Sequence, residues 1–256
     1  MVALRLFCMP YSGASAMAYA RWRRKVPQWL AIRPVELPGR GARHGEPFAT
    51  DVLALARGLA VELRGEAQQP YALFGHSLGG LLAFEMAHAL NELGLPRPVA
   101  LFVSGTAAPA KRDFSEFATA KSDAELIAKL RGLGGTPEAV LANRELLDLL
   151  LPVLRADFLL CGQYRYRERS PLPLPIHVFG GREDSISVDD LLAWQGETAS
   201  SFSLDMHAGH HFFIHDNEAR VLRTLKAHLG RHLRYRSSWG WTPDVRPADR
   251  LSQAGG

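Results

Sequence analysis

The chain has 256 residues, 47% of them apolar and 22% charged, with two cysteines and a formal net charge of +4. Its apolar runs fall far short of the roughly 20 residues of a membrane-spanning helix, and two cysteines cannot staple a small disulfide scaffold, so both classes are excluded. What remains is a soluble α/β protein of one domain, with chain to spare for a small insertion. The charge is concentrated at the C-terminus: residues 229–256 hold five arginines against Asp244 and Asp249, leaving the rest of the chain close to neutral. A basic tail rich in Gly, Pro and Ser is expected to be disordered over 234–256, and it gives no reason to expect a nucleic-acid partner. Cys8 and Cys161 lie in apolar segments and read as buried free thiols, and the Met1–Phe7 start lacks a signal-peptide core. Both features point to a reducing cytoplasm.

Short runs rich in Val, Ile, Leu and Phe alternate with stretches of helical period, the pattern of a mostly parallel sheet covered on both faces. In chain order the expected strands are Leu4–Met9, Ile32–Leu37, Tyr71–Gly75, Val99–Ser104, Ile176–Gly180 and Phe202–Met206. Amphipathic helices are expected near 15–29, 51–64, 78–93, 187–195 and 216–232. The alternation breaks between Thr106 and Pro173, where the sequence reads as helices alone. Ser122-Asp-Ala-Glu125 there has the form of a capping box, and a long amphipathic stretch runs from Asn143 to Tyr166. A helical insertion at about 107–172 would form a lid over the C-terminal edge of the sheet, the edge where open α/β sheets bind ligands.

One constellation carries chemistry. Gly75-His-Ser-Leu-Gly79 stands between an expected strand and an expected helix, the setting in which G-x-S-x-G forms a nucleophile elbow and lifts Ser77 above the sheet. A serine hydroxyl is a weak nucleophile and needs a base oriented by an acid, and in this architecture the acid and then the histidine follow in the chain. Asp184, at the end of Gly180-Gly-Arg-Glu-Asp184, is the expected acid, with Glu183 its nearest competitor. His211 of Gly209-His-His-Phe-Phe213 is the expected base, with His210 its competitor. Acyl transfer also needs donors for an oxyanion, expected from the backbone N–H groups of Leu78 and, in the Pro10–Ser15 loop, Ser12. The histidines at 207, 210, 211 and 215 lack the glutamate of a zinc-protease helix, and Gly132-Leu-Gly-Gly-Thr136 lacks the lysine of a phosphate loop, so no metal or nucleotide is expected. His76 reads as a pocket wall, and Leu146, Leu147, Leu150, Leu154 and Phe158 read as lid core that can also line an acyl channel.

These residues sit within a wider resemblance. The sequence resembles the stand-alone type II thioesterases of nonribosomal peptide and polyketide biosynthesis, which have an α/β-hydrolase fold. The segments that carry it are Phe7–Ser15, Leu37-Pro-Gly-Arg-Gly41 with Arg43 and Glu46-Pro47, Gly75–Gly80, Leu133–Glu138, Leu151–Asp157, Gly180–Asp184 with Trp194, and Gly209–Phe213. The resemblance runs from about residue 4 to 230 and implies the same triad of Ser77, Asp184 and His211. It further implies a monomer that uses no cofactor of its own and hydrolyses acyl groups from the phosphopantetheine arm of carrier protein domains. Ser12 stands where that family has a small apolar residue, and His210 where it commonly has glycine. A carboxylesterase or lipase acting on oxygen esters is the enzymatic alternative; a non-catalytic protein using its basic tail is the other.

Overall fold

Among the described residues, six strands lie side by side and all parallel: β1 (Leu4–Met9), β2 (Leu30–Pro34), β3 (Tyr71–His76), β4 (Leu101–Ser104), β5 (Ile176–Gly181) and β6 (Phe202–His207). Their order in the sheet is β2-β1-β3-β4-β5-β6. The computed structural model describes residues 3–66 and 69–237, with side chains as far as residue 233. Because side chains alternate along a strand, each strand feeds two cores. Phe7, Leu73, Leu101, Val103, Ile176 and Val178 face one, together with α1 (Val52–Glu62), α2 (Leu78–Glu92) and α6 (Val188–Leu192). Leu6, Cys8, Phe74, Phe102 and Phe179 face the other, against α7 (Phe213–Asp216) and α8 (Glu218–Ser237). Cys8 and Cys161 are buried and unpaired.

Several boundaries depart from the sequence reading. The 15–29 segment is a 3-10 helix over Ala16–Arg24, not an α-helix. With three residues per turn it stacks Tyr19 and Trp22 on one face, and both are buried against Phe74. β2 starts at Leu30 and ends at Pro34, because its register pairs Leu4 with Leu30 and Cys8 with Pro34, and β1 ends one residue later. β4 begins at Leu101, and the 187–195 helix divides into α6 and a 3-10 turn at Ala193–Glu197. The last helix runs on to Ser237, past the expected start of the tail; residues 238–256 lie outside the described residues.

The insertion between β4 and β5 is helical: α3 (Asp123–Leu133), α4 (Glu138–Leu141) and α5 (Arg144–Gln163). It has a core of its own in Phe117, Leu126, Leu130, Leu141, Leu151, Leu154 and Phe158. The capping box at the start of α3 forms, with the Glu125 amide donating to Ser122 Oγ and the Ser122 amide to Glu125 Oε2. Leu147 and Leu150 pack at its margin, whereas Leu146 is exposed.

Candidate active site

Ser77 joins β3 to α2 at φ 54°, ψ −118°, a conformation that L-residues other than glycine rarely adopt. The turn holds because its neighbours are glycines. A Cβ on Gly75 would lie 1.9 Å from the Gly79 carbonyl oxygen, and one on Gly79 2.2 Å from that of Met9. Every residue of α2 from Leu78 to Leu90 is buried, so the serine stands on a helix packed all round. The Ser77 amide donates to the Ser104 carbonyl at 2.8 Å, fixing the elbow to β4.

Asp184 leaves the end of β5 and His211 the loop after β6, as expected from the order of the motifs. His211 Nδ1 donates to Asp184 Oδ2 at 2.9 Å, and both side chains are largely buried. The competitors are engaged elsewhere: His210 Nδ1 donates to the Glu183 carbonyl at 3.0 Å, and Glu183 presents that backbone oxygen, not its carboxylate. Ser77 and His211 line one cavity together with Tyr11, Ser12, Leu130, Leu133, Leu154, Phe158 and Phe212. Between the two side chains there is no hydrogen bond; Ser77 Oγ has no partner among the described residues. The cavity holds about 20 Å³, room for about one water molecule. Leu130, Leu133, Leu154 and Phe158 of the helical insertion are among its walls. A larger hollow of about 290 Å³, between the start of α1 and the end of α5, is lined by none of these residues.

Of the two expected oxyanion donors, Ser12 lines this cavity and Leu78 directly follows Ser77. Leu78 is the first residue of α2, so its N–H lies outside the helix's own ladder. Among the described residues neither the Leu78 nor the Ser12 N–H donates to a protein acceptor.

His76, expected as a pocket wall, is fully buried and not among the cavity-lining residues, with Nδ1 3.0 Å from Ser104 Oγ and its ring 4.9 Å from that of His211. Burial, with His211 and His215 beside it, holds its pKa well below the ordinary value, so it is neutral. Behind the cavity, Arg21 donates to His215 Nδ1 at 3.0 Å, and His215 Nε2 lies 3.0 Å from Tyr11 Oη. A guanidinium can only donate, so neutral His215 carries its proton on Nε2 and donates to Tyr11. Burial, then the Arg21 charge, lower the His215 pKa, which agrees with a neutral ring. Tyr11 and Phe212 were read in the sequence only as parts of motifs. His207 stacks on Phe213 and His215 on Phe212, and the described residues contain no metal-binding cluster.

The sheet, the elbow after β3 and the helical cover define an α/β-hydrolase. The pattern of the thioesterase domain family matches residues 4–229, and the chain belongs to that family: it is an enzyme that hydrolyses thioesters. The gramicidin S biosynthesis protein GrsT of Aneurinibacillus migulanus is 38% identical over 227 residues, covering 87% of each chain. RedJ, a thioesterase of the prodiginine pathway of Streptomyces coelicolor, superposes with a TM-score of 0.80 at 38% identity, covering 90% of this chain and 91% of that one. BorB, the type II thioesterase of the borrelidin biosynthetic cluster, gives 0.80 at 35% identity, with 90% and 93% covered.

Proposed function

We propose that this protein is a type II editing thioesterase, which removes stalled or misprimed acyl groups from the phosphopantetheine arms of carrier domains in nonribosomal peptide or polyketide synthesis. The reading is carried by Ser77 and His211 lining one cavity, with His211 hydrogen-bonded to Asp184 and Ser12 in the cavity wall. The biosynthetic settings of GrsT, RedJ and BorB support the choice of partner. In the proposed reaction Ser77 Oγ attacks the thioester carbonyl while His211 Nε2 takes its proton. Asp184 holds the Nδ1–H and stabilises the imidazolium. The Leu78 and Ser12 amides receive the oxyanion. The tetrahedral intermediate expels pantetheine thiol, protonated by His211, and leaves an acyl-serine. Water deprotonated by the same histidine then releases the acid and restores Ser77. A thiol leaves more readily than an amine or alcohol, so acylation makes a milder demand than in a protease. No helix among the described residues is long and apolar enough to cross a membrane, and a monomer acting in the cytoplasm on carrier domains, without nucleic acid, completes the proposal. Turnover of acyl-carrier or acyl-pantetheine thioesters is expected to exceed that of matched oxygen esters; a clear preference for the oxygen esters would overturn it.

A further inference from the structure

Two sequence segments that the triad leaves without a role meet inside the protein. Arg40, from Leu37-Pro-Gly-Arg-Gly41, and Asp157, at the end of Leu151–Asp157 on lid helix α5, form a two-pronged ion pair. Arg40 Nη1 donates to Asp157 Oδ2 and Nη2 to Oδ1, both at 2.6 Å, with 6% and 2% of the two side chains exposed. A buried ion pair is not by itself a source of stability, since desolvation offsets much of the attraction. What this pair holds is therefore informative. Asp157 Oδ2 also accepts the Gly13 N–H at 2.8 Å, and Arg40 Nη1 also donates to the Ala14 carbonyl at 3.2 Å. Both groups belong to the loop that carries Ser12.

The loop's geometry depends on that grip. Gly13 has φ +80°, and a Cβ there would lie 3.1 Å from Leu154 Cδ1 and 3.3 Å from Leu150 Cδ1. Leu154 and Asp157 are one turn apart and share a face of α5. The helix thus presses on the loop with an apolar group and hydrogen-bonds it with a carboxylate. The Ser12–Gly13 peptide has its N–H turned into Asp157, while the preceding Ser12 N–H stays unpartnered beside the cavity.

We propose that Arg40 and Asp157 are positioning residues for acyl transfer: their pair fixes the loop that presents the Ser12 N–H and ties that donor to lid helix α5. The proposal rests on the oxyanion reading given above. It also divides the lid, for α5 must stay seated during catalysis while α3 gives way to admit substrate.

The test is steady-state hydrolysis of an acyl-pantetheine thioester by Asp157→Asn and Arg40→Lys, each normalised to active sites titrated with a fluorophosphonate and to folded fraction by circular dichroism. Asp157→Asn keeps the shape but removes the charge; Arg40→Lys keeps the charge but removes the fork. Losing an oxyanion donor, or moving it by about 1 Å, costs on the order of 10²-fold in rate. The expected result is a loss of that order in kcat with KM little changed, smaller for Arg40→Lys. Affinity for an alkyl boronic acid, which forms a tetrahedral adduct on Ser77, should weaken in parallel, and affinity for a non-hydrolysable acyl thioether should not. A purely structural pair would lower the titrated fraction and leave kcat per active site and boronate affinity unchanged, which overturns the proposal. If Asp157→Asn does not fold, Arg40→Lys alone decides by the same criteria. A Ser77→Ala control separates the failures: an active control overturns the site itself, whereas an inactive control beside a fully active Asp157→Asn overturns only the positioning role.

Discussion

At the scale of single residues, Ser77→Ala and His211→Ala are each expected to lower kcat by roughly 10⁵–10⁶-fold and Asp184→Asn by roughly 10⁴-fold, without change in fold. His210→Ala should leave kcat close to that of the parent, because its Nδ1 is spent on the Glu183 carbonyl. An inactive His210→Ala beside an active His211→Ala would reverse the assignment of the base. This much was legible in the sequence because the chemistry constrains spacing tightly: an elbow needs glycines where the backbone crowds, and acid and base must follow at strand ends. Order and the family resemblance both favoured Asp184 over Glu183, and the Asp184 carboxylate is the one 2.9 Å from His211 Nδ1. Tyr11 and the Arg40–Asp157 pair were not legible in the same way. Arg40 and Asp157 are 117 residues apart, and no local pattern records that two charges will be buried against each other.

At the scale of elements, α3 and the segment after α5 are held very differently. The return segment after α5 is pinned to α2, where Arg169 donates to both oxygens of buried Glu85 at 2.7 and 2.8 Å and Tyr164 donates to Glu85 Oε1 at 2.6 Å. α3 has its own capping box, exposed ion pairs such as Lys129–Glu116 and Arg131–Glu138, one apolar face on the lid core, and a tie to α5 through Arg155, which pairs with Asp123 and donates to the Lys121 carbonyl at 3.0 Å. Such exposed pairs, screened by solvent, contribute little. Amide exchange is therefore expected to be faster in 123–133 than in 144–163, and Ser122→Ala, which removes about 1 kcal/mol of capping, should speed it further in α3 alone. Slower exchange in α3 than in α5 would refute this division. The capping box was readable in advance because it is a four-residue pattern. The 3-10 form of Ala16–Arg24 and the Leu30 start of β2 were not, since strand register and the fit of Tyr19 and Trp22 against Phe74 set them.

At the scale of the whole molecule, stability should fall in mild acid. His76, His88, His177, His207, His215 and His232 all have pKa values below the ordinary one, in each case first through burial, with His88 at about 4 and His177 at about 2. Above the unfolded value of about 6.5 neither state is protonated and this contribution is constant. Below it the unfolded chain binds protons that the native state refuses, so stability drops as pH falls until the native pKa values are reached. Part of the effect centres on α8, where His232 Nε2 lies 2.8 Å from Nε2 of His177 on β5, an arrangement that requires a neutral ring. The urea midpoint should thus be flat near pH 7.5 and decline from pH 6.5 to 5; a midpoint that holds or rises over that interval would contradict the account. The alternation of strands and helices made the parallel sheet readable, and the gap in that alternation located the lid. Yet the lid is also the crossover that carries the chain from the end of β4 to the start of β5, two strands paired side by side. A cover built from the sheet's own connecting strand cannot be cut away or swing free on one hinge. It is moored at both ends, the outgoing one by the Ala108 amide on the Asp190 carbonyl at 3.0 Å and by buried Phe117 stacked on Phe158 of α5.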